Sequence, residues 1–104
     1  MKLEHYSVSK LKKQLRKIFQ NYLDLKEYKI FFFGSRVKGD CFERADIDIG
    51  VEGPKEIPAK IKFKIQEELE KISILYKFDL VDFKRVSKKF KKEALKYTEP
   101  ICSP

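Results

Sequence analysis

Two aspartates one residue apart, Asp46 and Asp48, follow a turn that opens Gly34-Ser35-Arg36-Val37-Lys38-Gly39. Side chains along a strand alternate with a period of two, so both carboxylates face one side of any strand that carries them. Left uncompensated, like charges so placed repel. A magnesium ion turns that repulsion into a binding site, because it prefers one or two carboxylates plus substrate phosphate oxygens to a full protein cage. Gly34 lets the backbone approach an anion with no Cβ in the way. Ser35 adds a hydroxyl to backbone amides that can cradle phosphate oxygens. Arg36 and Lys38 supply positive charge, and Gly39 gives a second flexible point. Together these residues ask for a nucleoside triphosphate and a divalent metal. They are not a Walker loop, because Asp40 and Cys41 stand where that motif needs Lys and Ser or Thr.

The elements around this segment must hold it in place. Leu11, Leu15, Ile18, Phe19 and Tyr22 recur at helical spacing behind a possible N-cap at Ser7 or Ser9, which predicts an amphipathic helix over 8–24. Tyr28 to Phe33 reads as a strand buried on both faces and stopped by Gly34. Residues 35–45 are too polar for a core element and have room for one short helical turn. Ile47, Ile49 and Val51 then alternate with Asp46, Asp48 and Gly50, giving a strand with one apolar and one acidic side. Gly53-Pro54 ends it, and Pro58 suits the first turn of a helix reaching about Ile72 through Ile61, Ile65 and Leu69. Tyr76 to Phe83 predicts a third strand. Ser87 is placed to cap a last helix through Phe90, Ala94, Leu95 and Tyr97, stopped by Pro100. The expected fold class is α/β (α+β): one domain over 1–104, a small mixed sheet flanked by helices.

Composition narrows the function classes. A chain of 104 residues has room for one core, and 42% apolar content is enough to build it despite 38% charged residues. The longest apolar run, Ile30 to Phe33, is far short of a membrane span, and Met1 to Ser7 lacks the apolar core of a secretory signal, so a cytoplasmic protein is expected. Two cysteines, Cys41 and Cys102, and one histidine, His5, leave no Cys/His zinc cluster; both thiols are expected to be reduced. The net charge of +8 favours polyanions. The lysines are nonetheless scattered over solvent faces of helices, as also happens in heat-adapted proteins, and direct nucleic-acid binding is not favoured.

Gly34-Ser35, ten intervening residues, and Asp46-Ile47-Asp48 resemble the G-S-x10-D-x-D signature of the polymerase β-like nucleotidyltransferase superfamily, and the small size is similar to its minimal nucleotidyltransferase (MNT) branch. The likeness runs from the first helix through Phe83. It implies that Phe78-Asp79-Leu80-Val81-Asp82 is the later strand that carries a third carboxylate. Asp79 and Asp82 differ by three positions and face opposite sides of a regular strand, so only one joins Asp46 and Asp48. Asp79, flanked by Phe78 and Leu80, is expected to be buried and in need of a cation, and Asp82, near the strand end, to be solvated. Asp79 is therefore chosen.

The resemblance also implies a reaction. A nucleoside monophosphate would pass from ATP to an acceptor hydroxyl with release of pyrophosphate. Asp46, Asp48 and Asp79 would hold two Mg2+ ions, Gly34 and Ser35 the β/γ-phosphates, and Arg36 or Lys38 would offset charge growing on pyrophosphate. Larger members of the superfamily add acceptor-binding domains. With no room for one here, a partner is expected to present the substrate: by family precedent, a HEPN-domain ribonuclease toxin whose tyrosine receives AMP. The chain would then be the antitoxin of a type VII-like toxin–antitoxin pair. Two alternatives stay open, a catalytically silent antitoxin that acts by stoichiometric binding, and nucleotidyl transfer to RNA. Tyr97 and Ile101 are apolar positions that could cover a partner's surface as easily as their own core.

Overall fold

A computed structural model of the protein describes residues 1–3, 6–39, 46–72 and 76–102. The first helix, α1 (Val8–Gln20), begins where the Ser7 hydroxyl accepts a hydrogen bond from the Lys10 amide at 3.2 Å. Its Leu11, Leu15 and Phe19, four residues apart, are fully buried. Next come β1 (Lys29–Phe33), the single turn α2 (Ser35–Lys38), β2 (Ile47–Glu52), α3 (Ala59–Glu70), β3 (Phe78–Asp82), α4 (Lys88–Ala94) and β4 (Thr98–Cys102). The Ser87 hydroxyl caps α4 by accepting from the Phe90 amide at 3.1 Å.

The four strands form one sheet in the order β3-β2-β1-β4. β1 runs antiparallel to both β2 and β4, while β2 and β3 are parallel and joined through α3. Ile30 and Phe32 of β1, Ile47, Ile49 and Val51 of β2, and Leu80 of β3 pack in one core with Leu11, Leu15 and Phe19 of α1 and Ile65 and Leu69 of α3. On the opposite face Phe31, Phe33 and Phe83 form a second core, with Ala94 and Leu95 packed against it. Phe83 meets Phe31 and Phe33 edge-on, with ring centroids 5.0 and 5.2 Å apart, a favoured aromatic geometry. A central strand covered on both faces explains why β1 is apolar at four consecutive positions.

Two expectations need correction. The last helix does not run to Pro100: it ends at Ala94, and Thr98–Cys102 is a strand with Pro100 inside it. Pro100 is tolerated because β4 lies at the sheet edge, opposite Phe31, where the register shifts. The burial expected of the two β3 aspartates is also reversed. β3 is the other edge, Asp79 is exposed, and Asp82 is 3% exposed. Ile101, like Cys102, belongs to the core, whereas Tyr97 is exposed. Cys102 is a buried free thiol. Cys41 and His5 lie outside the described residues, as does the stretch 40–45 beyond α2. Among the described residues no helix is long and apolar enough to cross a membrane.

Candidate active site

Strand register brings the chemistry-bearing residues to one rim of the sheet. Asp48 at the start of β2 is paired with Asp79 of β3 on one side and with Phe33, the last residue of β1, on the other. Phe33 is paired in turn with Thr98, the first residue of β4. A single row across the sheet therefore reads Asp79, Asp48, Phe33, Thr98. Gly34-Ser35 leaves the rim directly after Phe33, and Lys96-Tyr97 enters it directly before Thr98.

The turn is built around Asp48. Gly34 has φ 83° and ψ −161° and caps α2, its carbonyl accepting from the amides of Val37 and Lys38 at 3.2 and 3.1 Å. A Cβ at Gly34 would stand 2.2 Å from the Asp48 Oδ2 atom. The glycine is thus required twice, by its backbone conformation and by the carboxylate lying against it. Ser35 and Arg36 open the helical turn, where amides have no intrahelical acceptor.

Asp48 is half-buried and surrounded by its own charge. Burial, then Asp79, then Asp46 push its carboxyl up from 3.8 to about 6. Asp46, one pleat back, is exposed. The sheet thus brings Asp46 and Asp79 close enough to act on Asp48 through space. Among the described residues, however, no three acidic, His or Cys side chains meet as a formed metal cage. The donors fit a hard cation all the same: they are carboxylate oxygens, and a central carboxyl that resists ionisation beside two others gains most from a positive charge. Asp82 takes no part in this. Its Oδ2 accepts from the Ile57 amide at 2.7 Å and its Oδ1 from the Lys84 amide at 3.0 Å, with the Arg85 Nε at 3.6 Å. It anchors the entry to α3 onto the end of β3.

Two hollows flank the carboxylates. One, of about 410 Å³, is lined by Gly34, Ser35, Lys38, Glu93, Ala94, Lys96 and Tyr97. The other, of about 370 Å³, lies at the β3 edge between Asp79, Leu80 and the Ala59, Lys62, Phe63 and Gln66 side of α3. Lys38 lines the first, with its ammonium 5.8 Å from the centroid of the Tyr97 ring. Arg36 turns inward instead; it is 6% exposed, with its guanidinium 4.4 Å over the ring of Tyr76. Sequence reasoning missed Lys96 and Glu93 beside the Gly-Ser turn and Phe63 beside Asp79. Reading Thr98–Cys102 as a strand paired with β1 would have found the first two; nothing in the spacing of α3 marks Phe63, which is 65% exposed.

A mixed sheet flanked by helices, with a Gly-Ser turn and aspartates on one rim, defines as a class a nucleotidyl-transfer fold. Residues 13–104 match the family described as "Polymerase beta, Nucleotidyltransferase", and the chain belongs to that family. Among curated proteins, none matches the sequence. Solved structures do match by shape. One is a chain of a toxin–antitoxin complex with AMP-PNP, at TM-score 0.72 and 19% identity, covering 89% of this chain and 73% of that one. A second comes from a tri-AMPylated HEPN toxin of Shewanella oneidensis in complex with its MNT antitoxin, at TM-score 0.69 and 18% identity, with 92% and 72% covered. A third is from the MntA-HepT toxin–antitoxin complex, at TM-score 0.68 and 16% identity, with 92% and 73% covered. At these identities the likeness is one of fold, and the fold is that of the polymerase β-like nucleotidyltransferases.

Proposed function

We propose that this chain transfers AMP from ATP to a protein hydroxyl, and that the acceptor is a tyrosine of a HEPN ribonuclease toxin, which the modification silences. The observation that carries the chemistry is Asp48, a half-buried carboxyl pressed against Gly34 and pushed up to about 6 by its burial and by Asp79 and Asp46. Such a group suits a site that becomes stable only when a cation and a triphosphate arrive together. The HEPN partner and the antitoxin role draw on fold likeness to chains from toxin–antitoxin complexes and on the family resemblance of the signature residues, an argument by analogy.

Asp46, Asp48 and Asp79 would hold two magnesium ions. Magnesium, when bound there, would neutralise the carboxylates and withdraw charge from the α-phosphoryl oxygens. Gly34 and Ser35 receive the β- and γ-phosphates beside the first hollow, and Lys38 lies on that side to balance charge on the departing pyrophosphate. Asp79 is exposed at the sheet edge, and that open edge gives an incoming hydroxyl its approach. The acceptor oxygen bonds to the α-phosphorus, the bond from that phosphorus to the bridging oxygen breaks, and pyrophosphate leaves with the electron pair. The hydroxyl proton passes by Asp79 to solvent. Holding the two oxygens in line and offsetting charge is the protein's main task in such a transfer.

Purified chain is incubated with α-labelled ATP, magnesium and a candidate HEPN-domain protein from the same organism. Label is expected on the HEPN protein, and none with Asp46→Asn/Asp48→Asn. Silencing of the partner that survives the double substitution would mean stoichiometric binding instead, and label appearing on RNA would mean a different acceptor class.

A further inference from the structure

The hollow beside Gly34-Ser35 holds a residue pair that belongs to no part of the motif. Lys96 and Glu93, three residues apart across the end of α4, both line it. The Lys96 ammonium donates to both carboxylate oxygens of Glu93, at 3.1 and 3.2 Å. Both side chains are more than half exposed, so the pair is weakly held and readily exchanged for a stronger anion. Because Thr98 is the register partner of Phe33, this lysine sits across the hollow from the turn that follows Phe33.

We infer that Lys96 is a phosphate-tail ligand held in reserve by Glu93. On binding of a polyphosphate, the Lys96 ammonium exchanges the Glu93 carboxylate for a terminal phosphate oxygen, and Glu93 turns to solvent. The ligand class is a nucleoside triphosphate or the pyrophosphate it releases. The inference rests on the reading given under Proposed function and adds to it a positioning residue and a brake. The two residues then act with opposite sign. Lys96 strengthens binding of the tail, whereas Glu93 weakens it by competing for the lysine and by placing a like charge in the same hollow. A merely structural ion pair would give both substitutions the same sign.

Calorimetry separates the possibilities, with AMP-PNP plus magnesium, inorganic tripolyphosphate, and AMP as probes. Lys96→Ala is expected to weaken AMP-PNP and tripolyphosphate by about tenfold, as for loss of one charge-assisted hydrogen bond, and to leave AMP unchanged. Glu93→Gln is expected to tighten the same two probes by about threefold. Lys89→Ala, which removes the same charge from an exposed α4 position outside the hollow, is the control for the overall field. The inference is overturned if Lys96→Ala behaves like Lys89→Ala, if Glu93→Gln weakens binding or leaves it unchanged, or if AMP loses affinity in parallel. Those results with tight wild-type AMP-PNP binding leave the proposed function standing. Absence of AMP-PNP and tripolyphosphate binding to the wild type removes both.

Discussion

Replacing Asp48 with asparagine should make the metal-free protein more stable at neutral pH while destroying its proposed activity. The carboxyl of Asp48 is pushed up from 3.8 to about 6 by burial and by Asp79 and Asp46. Between those two values the folded protein keeps a proton that the unfolded chain has released. Stability therefore falls as pH rises through that window, and the full ionisation penalty is present above about pH 6. Taken at face value, a displacement of that size amounts to about 3 kcal/mol. Asp48 is only partly buried, and the water that reaches it screens its neighbours, so roughly 1 kcal/mol is the expected gain for Asp48→Asn at pH 7.5. The gain should be smaller at pH 4.5, where part of the folded wild type is already protonated, and should vanish below about pH 3. Saturating magnesium and ATP should reverse the order, stabilising only the wild type. Urea unfolding followed by far-ultraviolet circular dichroism measures this directly, since the chain has no tryptophan. An Asp48→Asn protein that is less stable than wild type at pH 7.5, or whose gain does not depend on pH, would refute the reasoning.

The two β3 aspartates should separate cleanly. Asp79→Asn, at an exposed edge position, should change unfolding free energy by no more than about 0.5 kcal/mol, yet cut AMP transfer by roughly 100-fold or more. Asp82→Ala strands the buried Ile57 amide and should cost about 2 kcal/mol of stability, while folded protein below its melting range still binds AMP-PNP. Gly34→Ala combines a left-handed φ with a Cβ 2.2 Å from the Asp48 Oδ2, and should cost about 2 kcal/mol or more and weaken magnesium-dependent AMP-PNP binding in calorimetry. Magnesium affinity in the presence of AMP-PNP should drop below about pH 6, as protonation of Asp48 begins to compete.

What sequence could reveal depended on how local the determining contacts are. α1, β1 and β2 were readable because their patterns report which face each residue turns inward. Leu11, Leu15 and Phe19 mark a helix stripe, and Ile47, Ile49 and Val51 mark one face of a strand whose other face carries Asp48. β4 was hidden for the opposite reason. Its place is fixed by pairing with β1, nearly seventy residues earlier, and its proline is permitted only because that side of the sheet is an edge. The same ignorance of strand order reversed the burial of Asp79 and Asp82. An aspartate between Phe78 and Leu80 looks interior until β3 is known to be an edge strand. Asp82 looks terminal until the Ile57 amide, twenty-five residues away in sequence, is seen to meet it. The argument that two positions three apart face opposite ways needed no topology, but it left open which of them lies beside Asp48; the register of β2 and β3 pairs Asp79 with it. Of the two cations read beside the Gly-Ser turn, Lys38 lines the hollow and Arg36 packs over Tyr76, a distinction that depends on a ring forty positions beyond Arg36.

The most direct test is a crystal structure grown with AMP-PNP and manganese, whose anomalous signal locates the ion. The account predicts manganese at the rim of the sheet, bound by oxygens of Asp46 and Asp48 and of the α-phosphate, with the β- and γ-phosphates against Gly34 and Ser35. Nucleotide bound elsewhere, or metal bound without Asp48, would contradict it.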